Sequence, residues 1–170
     1  MRVGAATLAI AAIVVGCVSP ATDAPAGTTT CVSHGGLPDD RCTPGALDHR
    51  VTQRNIRRTI CNPGYSRTVR PPTSYTNRLK IAGIREYGFA DRKVSDYEED
   101  HLVAISLGGS PTSPKNLWPE PHAGRWGSLR KDRLEFFLYR RVCAGTYALA
   151  AAQRDLSRDW VSAYERLHLG

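Results

Sequence analysis

The chain has 170 residues, enough for one domain with little to spare for a second. An apolar fraction of 41% allows a packed core. The 23 Lys+Arg against 16 Asp+Glu leave a net charge of +7 and a pI near 9.4, which suits a phosphate-bearing partner such as nucleic acid or an anionic surface.

Met1-Arg2 opens a stretch, Val3 to Gly16, that is almost wholly small and apolar. It is too short to span a bilayer but matches the hydrophobic region of a signal peptide. It ends in Val14-Val15-Gly16-Cys17, similar to a bacterial lipobox, in which the cysteine is lipidated and becomes the new N-terminus. The alternative is a simple cut near Ala24-Pro25-Ala26. The chain is therefore expected to be exported, as a cell-surface lipoprotein or a secreted protein, with membrane contact only through a lipid on Cys17. Residues 1–17 are read as the signal segment, 18–40 as a flexible linker and 41–170 as the domain, with its core at about 93–142.

Without Cys17 four cysteines remain, and an even number in an exported chain reads as two disulfides. Three pairings are possible and the sequence does not choose among them. The preferred pairing is Cys61–Cys143, tying the segment before the acidic cluster to the helix after it, with Cys31–Cys42 closing a short loop. No CxxC pair occurs, which argues against a thiolate zinc site.

Residues 31–50 read as loop. Val51, Ile56 and Ile60 form a rough helical stripe that stops at Cys61-Asn62-Pro63-Gly64. Arg70 and Pro71 each precede a proline and are expected to be extended. Ser74 or Thr76 can cap a helix running to about Tyr87, with Gly88 just past its end. Tyr97 to Leu107 reads as turn and strand, because Val103, Ile105 and Leu107 alternate. Residues 108–114 form a loop, and Asn116-Leu117-Trp118 a short second strand before Pro119. A helix is expected from about Ser128 to Val142, ended by Gly145. A last helix from about Tyr147 to Leu167 carries Leu149, Leu156, Trp160, Tyr164 and Leu167 on one core-facing stripe.

Chemistry concentrates at Glu98-Glu99-Asp100-His101. Three adjacent carboxylates repel one another unless a cation sits among them, and a divalent metal is one such cation. The residues C-terminal to the cluster give it a context: an apolar strand, Gly108-Gly109, a polar loop, Asn116-Leu117, then a helix bearing Asp132 and Glu135. This order resembles the HNH, or ββα-metal, nucleases over about residues 97–140. The wider chain resembles exported bacterial proteins with such a domain, through Cys42-Thr43-Pro44-Gly45, Arg70-Pro71-Pro72, EEDH, NLWPEP, KD-x-x-E and Val142-Cys143, with Ala152-Gln153 and Asp159-Trp160 in the last helix.

The resemblance implies an α+β fold: a ββα-metal core with flanking helices, stabilised by disulfides. It implies metal-dependent hydrolysis of DNA, or also RNA, with low sequence specificity. His101 would be the general base, Asp100 a metal ligand, and Asn116 would hold the loop or orient His101 through its amide. The helix lacks the histidine or asparagine that many members use as second ligand. Asp132 is the first candidate there, with Glu135 and His122 as alternatives and Glu99 as an extra ligand; Ser128 and Tyr139 share the helix face of Asp132 and Glu135. Carboxylate ligands suit one divalent ion, Mg²⁺ or Mn²⁺ in preference to Zn²⁺. Arg125, Arg130, Lys131 and Arg133 would contact phosphates of the nucleic-acid substrate, together with Arg140 and Arg141. Trp126 offers a stacking surface, whereas Trp118 reads as core. No obligate protein partner is evident. The competing reading is a non-catalytic cell-surface module that binds nucleic acid or protein on an HNH-like scaffold.

Overall fold

The structure, a computed structural model, describes Met1 and residues 31–169. The leader, Cys17 and the linker up to residue 30 lie outside the described residues. Among the described residues the fold is mixed helix and strand, and no helix is long and apolar enough to cross a membrane.

Residues 31–40, read as the end of a flexible linker, instead pack on the domain. Cys31 is buried and bonded to Cys42. The Trp160 indole donates to the Gly36 carbonyl at 3.0 Å. Asp39 accepts from the Val32 and Arg41 amides, each at 3.0 Å.

Val51, Ile56 and Ile60 are buried as their spacing suggests, but only Ile56–Arg58 makes a 3₁₀ turn. The reason is local. Asn55 accepts from the Thr52 amide and donates to the Arg50 carbonyl, giving the backbone partners that a helix would otherwise supply. A short helix that the sequence did not announce, α1 (Tyr65–Val69), starts after Gly64, whose φ of 86° suits glycine. It ends at Arg70, which is extended before the two prolines, as expected. Helix α2 (Thr73–Glu86) begins behind Pro72, with neither Ser74 nor Thr76 as its cap.

The sheet is one antiparallel hairpin of β1 (Tyr97–His101) and β2 (Leu117–Pro121). Glu98 faces Glu120, Glu99 faces Pro119, Asp100 faces Trp118 and His101 faces Leu117. Two boundaries differ from the sequence reading. Strand β1 ends at His101, and Ile105–Leu107 turns into a 3₁₀ helix. The alternating apolar residues there are buried in a loop, where alternation cannot be told from a strand by pattern alone. Strand β2 runs on through Pro119, which a two-stranded sheet tolerates because each strand has an outer edge that needs no donor. Helix α2 packs on the hairpin through Gly83, where a side-chain carbon would come within 2.8 Å of the Pro119 ring.

Helix α3 (Ser128–Cys143) follows the hairpin, and α4 (Leu149–Arg166) packs against it. Leu134, Leu138 and Val142 of α3 meet Leu149, Ala152, Leu156, Trp160 and Tyr164 of α4 in the core; of the stripe expected from the sequence, Leu149, Leu156, Trp160 and Tyr164 are buried and Leu167 is partly buried. Trp118 is 1% exposed and belongs to that core.

The disulfides pair Cys31 with Cys42 and Cys61 with Cys143, at sequence separations of 11 and 82. Loop-closure entropy makes the longer link the stronger constraint on the unfolded chain, by about 4.5 against about 2.8 kcal/mol. Replacing Cys61 and Cys143 by serine should therefore lower the denaturation midpoint more than replacing Cys31 and Cys42. Chemical unfolding of the two double variants checks the order, and a larger loss from the short link would contradict it.

Candidate metal and catalytic site

Strand alternation sorts the acidic cluster onto two faces. Glu98 and Asp100 share one face of β1, and the register adds Glu120 of β2 to it. Glu99 and His101 take the other. Glu99 lies in a small cavity with Leu79, Gly83 and Glu86 of α2, away from the other acids, so the structure does not bring it to them.

Carboxylate oxygens of Glu98, Asp100 and Glu120 all lie within 4.8 Å of one another, a spacing that can hold a metal ion. Glu120 is 1% exposed, and neither of its carboxylate oxygens has a hydrogen-bond partner. The sequence reading missed Glu120, and Glu98 as a ligand. The signal was available only as register, which sets the two glutamates opposite each other once the hairpin is drawn.

Lys131 enters this cluster from α3. It was expected on the phosphate-facing surface, but it is 1% exposed. Its ammonium pairs with Asp100 Oδ2 at 2.6 Å and with Glu135 Oε1, and donates to the His101 carbonyl at 3.0 Å. Two of these contacts, to Glu135 and the His101 carbonyl, are hydrogen bonds, and the contact with Asp100 is an ion pair. Glu135 is therefore committed to Lys131, while Asp132, one residue on, is exposed. His122 stands at the rim: Nδ1 is 3.0 Å from the Ser128 hydroxyl and 3.7 Å from Glu98.

Five carboxylates, Glu98, Asp100, Glu120, Asp132 and Glu135, surround this one ammonium. Their pKa values register the excess. Burial, followed by the charges of Asp100 and Asp132, pushes Glu98 up to about 7. Burial drives Glu120 well above the usual carboxylate range, and Asp100 adds to it. Burial also raises Glu135, to about 8, against the pull of Lys131. Asp132 shifts upward for the same first reason, with Asp100 next. On the other face burial raises Glu99 to about 8. Burial would lower Lys131, but Asp100, Glu135 and Glu120 more than offset it and hold it well above the usual lysine value.

His101 is 4% exposed, and its Nε2 is 2.9 Å from the Pro111 carbonyl. A carbonyl only accepts, so Nε2 carries the proton and Nδ1 is the basic nitrogen of the neutral ring. Burial lowers the His101 pKa, which keeps the ring neutral near pH 7. Asn116 is fully buried and holds the loop instead of touching the imidazole. Its Oδ1 accepts from the Val103 amide at 2.9 Å, and its Nδ2 donates to the Val103 and Ser110 carbonyls at 3.0 Å. The amide thus acts as a ladder partner for a segment that has left the sheet. Gly109 completes the loop, because any side chain there would overlap the Val103 carbonyl.

The other basic residues expected at phosphates have local partners. Arg125 pairs with Glu165 at 3.4 Å, Arg130 donates to the Arg125 carbonyl, and Arg133 donates to the Tyr164 hydroxyl and the Leu169 carbonyl. Trp126 is covered by Arg125 and Arg130 and packs edge-on against Trp160 and Tyr164.

No protein-family model, curated protein or solved structure matches this chain.

A carboxyl whose folded pKa lies above its unfolded value holds its proton more tightly when folded. The stability it contributes is complete below the unfolded pKa and is lost as pH rises through the folded one. For Glu98 and Glu99 that window runs from about 4.5 to about 8. The metal-free protein, kept in chelator, should therefore melt at its highest temperature near pH 5 and at progressively lower temperature towards pH 8. Glu120→Gln, which keeps the shape and removes the titration, should flatten that slope. A midpoint that climbs steadily from pH 5 to pH 8 would contradict the assignment of buried, uncompensated carboxyls.

Proposed function

We propose that this chain is an exported, metal-dependent endonuclease that hydrolyses phosphodiester bonds with little sequence preference. The observation that carries the reading is the unpartnered, buried Glu120 carboxylate beside Glu98 and Asp100. A buried carboxylate without a donor is costly unless it is protonated or bound to a cation. All-oxygen ligands suit a hard ion, Mg²⁺ or Mn²⁺. Glu98, Asp100 and Glu120 would hold it, with His122 and Asp132 at the rim. Such an ion would neutralise charge on the leaving oxygen.

Further support comes from the order of the elements: a two-stranded hairpin, then a helix whose Lys131 is bonded to the end of β1. That is the sequence of elements in the ββα-metal resemblance. His101 has the attributes of a base. Its ring is oriented by a backbone carbonyl, is neutral near pH 7, and keeps Nδ1 to accept a proton from water. Two disulfides fit an oxidising compartment outside the cytoplasm, in keeping with the leader-like N-terminus.

A second reading has its own observation. Lys131 already supplies one positive charge to the cluster, as an ammonium would in a scaffold that binds without cutting. The two readings part on activity. Purified mature chain should nick supercoiled plasmid with Mn²⁺ or Mg²⁺ and not in chelator, and His101→Ala should slow nicking by about 10²–10⁴-fold, the usual contribution of a general base. Equal nicking by wild type and variant would sink the role of His101. DNA binding without nicking in Mg²⁺, Mn²⁺ or Zn²⁺ would establish the non-catalytic module.

A further inference from the structure

The acidic face of α3 forms one wall of a cleft of about 600 Å³. Asp132, Glu135, Phe136 and Tyr139 line that wall, and Tyr65 and Arg67 of the α1 region stand opposite. Arg67 of that wall belongs to an arginine-rich stretch of the chain. Arg54, Arg57, Arg58, Arg67 and Arg70 fall within seventeen positions and are all exposed. Arg50, just before them, is held by Asp48 at 2.8 Å. Among the described residues none of the other five has a carboxylate within ion-pair distance. Arg70 also acts electrostatically on His101, which places its charge near the proposed base.

Unpaired exposed arginines in a run repel one another and are maintained at a cost in stability. A polyanion removes that cost, and a phosphate backbone gains most from arginine, whose planar fork binds phosphate oxygens in pairs. The cleft supplies the second requirement of a nucleic-acid path. Phe136 is 61% exposed, a large apolar surface in water, with the Arg140 guanidinium 5.8 Å from its ring centre. Tyr65 and Tyr139 line the same cleft. Aromatic faces beside exposed arginines suit unstacked bases, the arrangement by which single strands are held. The link between Cys61 and Cys143 fixes the arginine segment to the end of α3, so the two walls keep their spacing before any ligand arrives.

We infer that the arginine wall of residues 54–70, with Phe136, is the binding surface for a single-stranded nucleic-acid backbone and delivers it to the acidic site; the delivery rests on the phosphodiester reading of that site, whereas the binding does not. This surface is distinct from the set expected from the sequence, of which Lys131 is buried, Arg125 pairs with Glu165, and Arg130 and Arg133 donate to neutral groups.

Binding is measured without turnover, by fluorescence anisotropy of a labelled mixed-sequence 12-mer with the mature chain in chelator. Changing Arg54, Arg57, Arg58, Arg67 and Arg70 together to glutamine should raise Kd by at least about 100-fold at low salt. It should also make the plot of log affinity against log salt shallower by about 3.5, since each phosphate contact on a single strand contributes about 0.7. Phe136→Ala should raise Kd by about fivefold or more with the salt slope unchanged, the mark of stacking as opposed to charge. Arg125, Arg130 and Arg133 to glutamine should stay within about twofold. Circular dichroism confirms that each variant is folded, which substitution of exposed residues allows. Unchanged affinity in the five-arginine variant, or a larger loss in the three-arginine variant, overturns the surface, and tighter binding of the matching duplex overturns its single-strand preference. If binding follows the expected pattern but wild type cuts nothing in Mn²⁺, the surface stands and the nuclease reading falls. If wild type cuts and the five arginines are dispensable for binding, the reverse holds.

Discussion

The site depends on one buried ammonium. Lys131 joins α3 to the hairpin by pairing with Asp100 and donating to Glu135 and the backbone carbonyl of His101. Burying a lysine is costly, and the geometry offsets the cost through two carboxylates and one carbonyl placed around the ammonium. The same contact aligns β1 with α3 and fixes the strand residue that carries the imidazole. It also sets the charge balance: one ammonium serves two of five carboxylates, and Glu120 is left buried with no donor at all.

A second constraint works on the other side of β1. The chain leaves the sheet after His101, and backbone groups at Val103 and Ser110 would lack partners. Asn116 supplies them with one fully buried amide. The loop so held presents the Pro111 carbonyl to His101 and selects its tautomer. Lys131 and Asn116 therefore divide the work. One organises the acidic face, the other the loop that orients His101, which follows Asp100 at the end of β1.

Much of this was legible in the sequence, and the failures have physical causes. The three long helices were readable because Gly88 and Gly145 follow the ends of α2 and α3 and the apolar stripe of α4 follows the helical period. Asn116 as loop holder was readable from the motif order. Lys131 was misplaced because a lysine flanked by Arg130 and Asp132 on an amphipathic helix reads as solvated, and only the third dimension brings Asp100 to it. Glu120 was hidden because it sits between two prolines, a context that argues against a strand, and because pairing register cannot be read from one strand alone. Asp132 and Glu135 were correctly placed on one helix face, but Glu135 turns to Lys131, and the hairpin, not the helix, contributes most of the convergent oxygens. The arginines at 54–70 carried no signal because the acidic cluster lies far from them in sequence.

The carboxylates exceed their built-in counter-ion, and the proposed function requires them to accept a divalent cation among Glu98, Asp100 and Glu120. Titration of the metal-free mature chain with Mn²⁺ at pH 7, followed by electron paramagnetic resonance of the unbound ion, tests it most directly. One saturable Mn²⁺ site per chain is expected, lost or weakened at least tenfold by Glu120→Gln and little changed by Glu135→Gln. No bound Mn²⁺ at millimolar concentration, or equal binding by the Glu120→Gln variant, would contradict the claim and leave a proton as the occupant of that cluster.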